Sequence, residues 1–224
     1  MIIAIDGPAG AGKSTVSRRL AAELGLALVD TGALYRCVAL AARRGGLAWD
    51  DDAALAKLLP ALELSFGWQA GEPRVFLSGA DVSGEIRTPE ISRGASAVSA
   101  RPVVRDGLLD LQRRLGRAAP KGAVLEGRDI GTVVFPDAEA KFFLTADPRV
   151  RAERRYKELA AKGTKTTVDE VLAEQERRDR DDASRAVAPL KQAADAELVD
   201  STRLDLDQVV AHIVASLRRR GLVS

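Results

Sequence analysis

Near the start of the chain stands GPAGAGKST, residues 7–15. Gly7, Gly12, Lys13 and Ser14 fit G-x-x-x-x-G-K-[ST], the phosphate-binding loop pattern. Its residue types have a definite chemical use. Glycines let the backbone turn N–H groups inward around a polyphosphate. Lys13 adds a positive charge at the β- and γ-phosphates, and the Ser14 hydroxyl can ligate Mg²⁺. A helix opening at the same point directs its positive end at the anion. The stretch therefore predicts a bound nucleoside triphosphate. It leaves open whether the phosphoryl group is transferred, hydrolysed or used as a switch.

Two further groups bear on that question. DTGALYR (residues 30–36) and EGRD (residues 126–129) each follow a strand-like run. In an open parallel sheet, ligands gather outside the carboxyl ends of the strands. Tyr35 and Arg36 lie a helical turn beyond one such end; Arg128 and Asp129 lie beyond another. A lone arginine reads most simply as half of a surface salt bridge. Two at strand ends beside a phosphate loop instead suggest a second phosphate, on an acceptor, because guanidinium pairs bidentately with phosphate oxygens. Residues 149–185 form a third group, dense in charge. Most of its charges suit a solvated helix face. Its position after the fourth predicted strand also suits a lid, which supplies arginines to the migrating phosphoryl group and excludes water. Arg154, Arg155, Arg178 and Arg185 are the candidates. Interleaved carboxylates and the lack of an aromatic platform beyond Tyr156 argue against a nucleic-acid patch.

The elements that must carry these groups follow from periodicity. Residues 1–5 read as a buried strand, and Val16, Leu20 and Leu24 put a helix after the loop, closed by Gly25. LALVD is a second strand, followed by a turn at Thr31–Gly32 and a helix over 33–44. A further helix over 51–59 is stopped by Pro60. Residues 62–88 change texture, with LELSF and RVFLSG joined by the turn-like QAGEP, and predict a small antiparallel insertion. Helices over 90–97 and 102–115, strands GAVLEG and KFFLTA, the charged helices of 149–182 interrupted at AKGTKTT, and strand AELVDS complete the alternation. A last helix has Leu206, Val209, Val210, Ile213, Val214 and Leu217 on its core face. Strands alternating with helices imply an α/β fold: a parallel sheet with helices on both faces, in three layers.

Composition bounds the class. The chain has 224 residues, 46% of them hydrophobic, and a net charge of +2. That fits one α/β domain with an insertion, or at most two small domains, and the charge does not by itself call for nucleic acid. The single cysteine, Cys37, rules out a disulfide within the chain and suits a reducing compartment. No basic leader precedes the first strand and no segment is long enough to span a membrane, so a cytoplasmic protein is expected. A histidine-based triad or zinc site has only His212 to draw on, in the last helix. A guanine-reading N-K-x-D is excluded because the chain has no asparagine.

Taken together, GPAGAGKST, DTGALYR, DVSGEIRTPEIS, EGRDIGTVVFPDA, KFFLTAD and RDRDDASRAVAPLKQAADAELVDST resemble the bacterial cytidylate kinases, in order and across essentially the whole chain. The resemblance implies a P-loop kinase of one domain, residues 1–224. Its monophosphate-binding region would cover about 31–105 and its lid about 149–185. The implied reaction takes ATP and CMP or dCMP to ADP and CDP or dCDP, with Mg²⁺. Gly7, Pro8, Ala9, Gly10, Ala11, Gly12, Lys13, Ser14 and Thr15 would hold ATP, with Ser14 on the metal. Thr31, Tyr35, Arg36, Ser96, Arg105, Arg128, Asp129, Arg178, Asp182 and Arg185 would face CMP. Thr31 stands where many relatives have serine and keeps the hydroxyl. Lys13, Arg154, Arg155 and Arg185 are the expected catalytic side chains. A monomer acting without nucleic acid or membrane is expected.

The residues agree with that implication on one point. Cytosine offers an N4 donor and acceptors at N3 and O2, so its reader needs a carboxylate beside arginine or hydroxyl donors. Asp129, Arg105 and Ser96 form such a set. Other readings remain open at this stage: a kinase for UMP or a small metabolite, or a protein using ATP as a binding switch.

Overall fold

A computed structural model describes residues 1–69, 72–161 and 163–224. In chain order the main elements are β1 (Ile2–Asp6), α1 (Lys13–Leu24), β2 (Ala27–Asp30), α2 (Thr31–Arg44), α3 (Asp52–Leu58), β3 (Leu64–Gln69), β4 (Glu72–Leu77), β5 (Ala80–Asp81), α4 (Pro89–Ser99), α5 (Pro102–Arg117), β6 (Ala123–Gly127), β7 (Ala140–Thr145), α6 (Pro148–Ala161), α7 (Val168–Ala183), β8 (Glu197–Asp200) and α8 (Leu206–Arg219). They divide into two compact units, residues 1–28 with 116–224, and residues 29–115.

The first unit is built on a sheet of order β2-β6-β1-β7-β8. Strand β1 pairs in parallel with β6 and β7, and β7 with β8. Helices cover both faces, so the central strands carry near-continuous apolar runs: Ile3, Ala4, Ile5, Val124, Leu125, Phe142 and Leu144 are all buried. Val16 and Leu20 of α1 share that core with Val209, Val210, Ile213, Val214 and Leu217 of α8. Burying each such side chain contributes roughly 1.5–3 kcal/mol, which anchors α1 and hence the loop before it. The register places Asp6 opposite Gly127, so the phosphate loop and the EGRD segment leave the sheet side by side. Residues 130–134 then form one wide helical turn. The Asp129 carbonyl accepts from both Val133 and Val134, and such turns recur at functional sites.

The second unit packs α2, α4 and α5 around Leu34, Val38, Ile91, Val98, Val104 and Leu108. Its antiparallel sheet, of order β3-β4-β5, pairs Leu64 with Leu77 and Phe66 with Val75, as the change of texture near residue 62 predicts. Residues 70 and 71 of the expected QAGEP turn lie outside the described residues, as does residue 162 of the break between α6 and α7.

Several local expectations need correction. The turn expected at Thr31–Gly32 is already helix, because the Asp30 side chain accepts from the Ala33 amide at 3.0 Å and caps α2 one residue after the strand. Pro60 does not end the chain's helical path; it sits inside a short 3₁₀ turn, Leu59–Ala61, that continues α3. Leu206 stands at the first position of α8 and is 37% exposed, so the apolar stripe begins at Val209. His212 lies in α8 as expected, on its exposed side, bonded to Glu197 at 2.8 Å.

Candidate active site

Strand β1 delivers Asp6 and the loop of residues 7–12, and α1 opens at Lys13. Gly7 has φ +147°, and a Cβ there would run into the Leu144 carbonyl of the neighbouring strand. Gly10 and Gly12 also hold positive φ, so three glycines of the motif are dictated by backbone shape. Gly12 is the N-cap of α1 and offers no side chain to it. Five other helices, α2, α3, α4, α7 and α8, are capped by the side chains of Asp30, Asp51, Thr88, Thr167 and Asp205. The first turn of α1 is thus left to an anion.

Lys13 is buried, and its Nζ donates to the Pro8 carbonyl at 2.7 Å. Burial, with the Arg128 guanidinium beside it, pushes its ammonium well below the usual lysine range; Glu126 and Asp6 pull the other way. Arg178 adds a further repulsion. Arg128 and Arg178 thus both repel the buried Lys13 ammonium, and a bound polyphosphate would relieve that repulsion. Asp6 is buried too. Its two oxygens accept from the Ile130 amide at 2.8 Å and the Gly131 amide at 2.7 Å. Burial outweighs these bonds and pushes the Asp6 carboxyl up to about 6.

Arg128 donates from Nε to Asp182 at 2.8 Å, and Asp182 is also ion-paired with Arg185. Asp182 is almost wholly buried. Burial lowers the Arg128 value, and the carboxylates of Asp179, Glu126, Asp6 and Asp129 oppose that fall. The loop after β6 and the end of α7 are therefore joined by one carboxylate holding two arginines.

In the second unit, Thr31 is buried at the start of α2. Arg105 lies over the Tyr35 ring at 5.5 Å and donates to the Ser99 carbonyl at 3.1 Å. Arg36 donates to the Ile86 carbonyl at 3.1 Å and to Ser92 Oγ at 2.6 Å. Ser96 is half-buried on α4, and its carbonyl accepts from Ser99 Oγ.

The family model described as cytidylate kinase matches residues 3–219. The chain belongs to the cytidylate kinase family. It is 54% identical over 223 residues to the cytidylate kinase of Syntrophotalea carbinolica, covering 100% of this chain and 94% of that one. It is 52% identical over 220 residues to that of Geobacter sulfurreducens, covering 98% and 94%. Among solved structures it is similar to an uncharacterized protein from Eubacterium ventriosum, with a TM-score of 0.54 and 13% identity over 97% of this chain and 98% of that one, a likeness of fold.

Of the residues the family resemblance assigns, Arg128 and Arg178 both act electrostatically on Lys13, and Asp182 joins Arg128 to Arg185. Arg154 and Arg155 are directed elsewhere. Arg154 donates to Ser201 Oγ, the Ser201 carbonyl and the Leu204 carbonyl, at 3.0, 2.7 and 3.4 Å. Arg155 pairs with Glu158 on its own helix. The arginine of α6 that reaches the phosphate loop is Arg151, which no motif marks. It donates to the Ala9 carbonyl at 2.7 Å and to Asp179 at 2.6 Å. A signal for its partner did exist. Val171, Gln175, Asp179 and Asp182 recur at helical spacing, and the apolar Val171 marks that face as the inward one.

Proposed function

We propose that this chain transfers the γ-phosphoryl group of ATP to CMP and dCMP, giving ADP with CDP or dCDP. An oxygen of the acceptor's 5′-phosphate attacks the γ-phosphorus in line, the bond to the β–γ bridging oxygen breaks, and ADP departs with that electron pair. A phosphate oxygen is already a nucleophile, so the chain's contribution is positioning and charge. The observation that carries the reading is the buried Lys13 of the phosphate loop, its Nζ on the Pro8 carbonyl, in the same unit as an Arg128 that Asp182 holds together with Arg185. Charge spread over a migrating phosphoryl group is what such a cluster stabilises.

Gly7 to Thr15 are assigned to ATP. Thr31, Tyr35, Arg36, Ser96, Arg105, Arg128, Asp129, Arg178, Asp182 and Arg185 are assigned to CMP. Residues from about 31 to 105 would serve as the monophosphate-binding region, with the β insertion at about 62–88, and about 149–185 as the lid. Lys13 and Arg185 are the charges assigned to the reacting phosphates. Arg154 and Arg155 belong to the same assignment only if substrates draw them from Ser201 and Glu158.

Mg²⁺ suits the donor set. Ser14 is exposed in the first turn of α1, and its hydroxyl is a hard oxygen donor that would ligate the ion together with triphosphate oxygens. Bound there, the ion would supply charge neutralisation at the phosphates. Among the described residues no helix is long and apolar enough to cross a membrane. A monomeric enzyme of the cytoplasm completes the reading.

The test is ADP formation against CMP, dCMP, UMP and AMP. Rapid turnover with the two cytidine acceptors and little with the others is expected. Preference for UMP would overturn the acceptor assignment. ADP formation indifferent to any acceptor would replace transfer with ATP hydrolysis.

A further inference from the structure

Both backbone polar groups of one residue in the phosphate loop are occupied by the two helices of the 149–185 segment. The Ala9 amide donates to Asp179 Oδ1 at 3.0 Å, and the Ala9 carbonyl accepts from Arg151 at 2.7 Å. Arg151 closes the ring by donating to Asp179 Oδ2 at 2.6 Å, and its Nε holds the Ala146 carbonyl at the end of β7 at 3.1 Å. Arg151 is buried and Asp179 largely so, which spares the pair the screening that weakens a surface salt bridge. Next to it the Gln175 amide lies against Gly10, where any Cβ would strike it. Three side chains from α6 and α7 thus pin Ala9 and Gly10, the tip of the loop. Asp179 also stands beside Arg178 in sequence and one turn before Asp182, and its charge acts on Arg128.

We propose that Arg151 and Asp179 form a latch that sets the shape of the phosphate loop and couples its occupancy to the placement of α7. The physical basis is that α7 cannot shift without releasing the Ala9 amide or dragging it along. An ATP phosphate ordering the loop from one side therefore biases α7, and an acceptor that engages Asp182 biases the loop. Coupling of this kind is reciprocal. Arg151 and Asp179 are positioning residues here and touch no reacting atom. The inference rests on the donor and acceptor assignments proposed above.

The test measures affinity for a non-hydrolysable ATP analogue with and without saturating CMP, in the wild type and in D179A, D179N and R151A. In the wild type, CMP is expected to tighten the analogue about tenfold, within the usual span of coupling between two sites. In D179A and R151A that factor should fall to within about twofold of unity, while affinity for the analogue alone changes by less than about fivefold. The double variant R151A/D179A should be no worse than either single one, since both break the same ring. D179N keeps an oxygen for the Ala9 amide and loses the charge facing Arg151, so it should be intermediate; it also serves if D179A does not fold. Full coupling in the folded variants would overturn the latch and leave the reaction assignment intact. An equal loss of analogue affinity with and without CMP would also overturn it, since Asp179 would then only build the loop. A wild type that shows no coupling would remove the acceptor gating itself, and the latch with it.

Discussion

The Asp182 carboxylate accepts a hydrogen bond from Arg128 Nε at 2.8 Å, tying the loop beyond β6 to the last turn of α7 across 54 residues of sequence. The same carboxylate pairs with Arg185. Removing it takes one shared carboxylate from two arginines at once. Breaking a buried ion pair from one side costs about 3–5 kcal/mol. D182A should therefore unfold at lower urea than the wild type by an amount in that range. Inorganic phosphate, able to sit between two guanidinium groups, should stabilise D182A more than it stabilises the wild type. Equal stabilisation of both proteins by phosphate would show that the two arginines do not form an anion site.

Asp6 makes a prediction about pH. Its folded value, about 6, lies above the ordinary 3.8, because burial outweighs two amide hydrogen bonds. The stability it contributes is therefore fully present below pH 3.8 and lost as the pH rises through 6. A span of roughly two pH units corresponds to on the order of 3 kcal/mol. D6N cannot ionise. Compared by urea unfolding at about pH 4.5 and pH 7.5, D6N should gain on the wild type as the pH rises, by up to that amount. A difference between the two proteins that does not change with pH would mean Asp6 keeps an ordinary carboxyl value.

Lys13→Ala should leave the fold intact and lower turnover by about 10² to 10³, the usual worth of one preorganised charge at a reacting group. In the folded protein without substrate, the Pro8 carbonyl and the carboxylates of Glu126 and Asp6 stand against burial and two arginines at Lys13. Its removal should thus cost little stability, and thermal unfolding can verify this alongside the rate. Near-normal turnover in a folded K13A enzyme would remove the lysine from the reaction.

Asp129→Ala should raise the Michaelis constant for CMP far more than that for ATP. A base-reading site that loses one hydrogen-bonding partner leaves the other unpaired, at a cost of about 1–3 kcal/mol. Equal loss for both substrates would assign the Asp129 carboxylate to the charges of Arg128 and Asp6 around it, and not to cytosine.

Local patterns made part of this site legible. The loop motif is read from eight consecutive positions, Gly7 to Ser14, since positive φ imposes glycine locally and phosphate chemistry calls for lysine and serine at the helix start. The buried strands are read from apolar runs, and the small sheet from its alternation. The charged run of residues 149–185 resisted the same reading. Arg149, Arg151, Arg154 and Arg155 are alike in type and close in sequence, and nothing local says which one turns inward.

What the chain determines by itself is the order of strands and helices, the phosphate loop, the antiparallel insertion and the family pattern. Each of these depends on neighbours a few residues apart. Tertiary structure decided the partners: Arg151 on Ala9 and Asp179, Arg154 on Ser201, Asp6 on the Ile130 and Gly131 amides, and Asp182 between Arg128 and Arg185. These contacts form only once parallel strands bring segments as much as 142 residues apart to one edge of the sheet. Burial then selects among equivalent charges, because an arginine without a partner is costly inside and cheap outside.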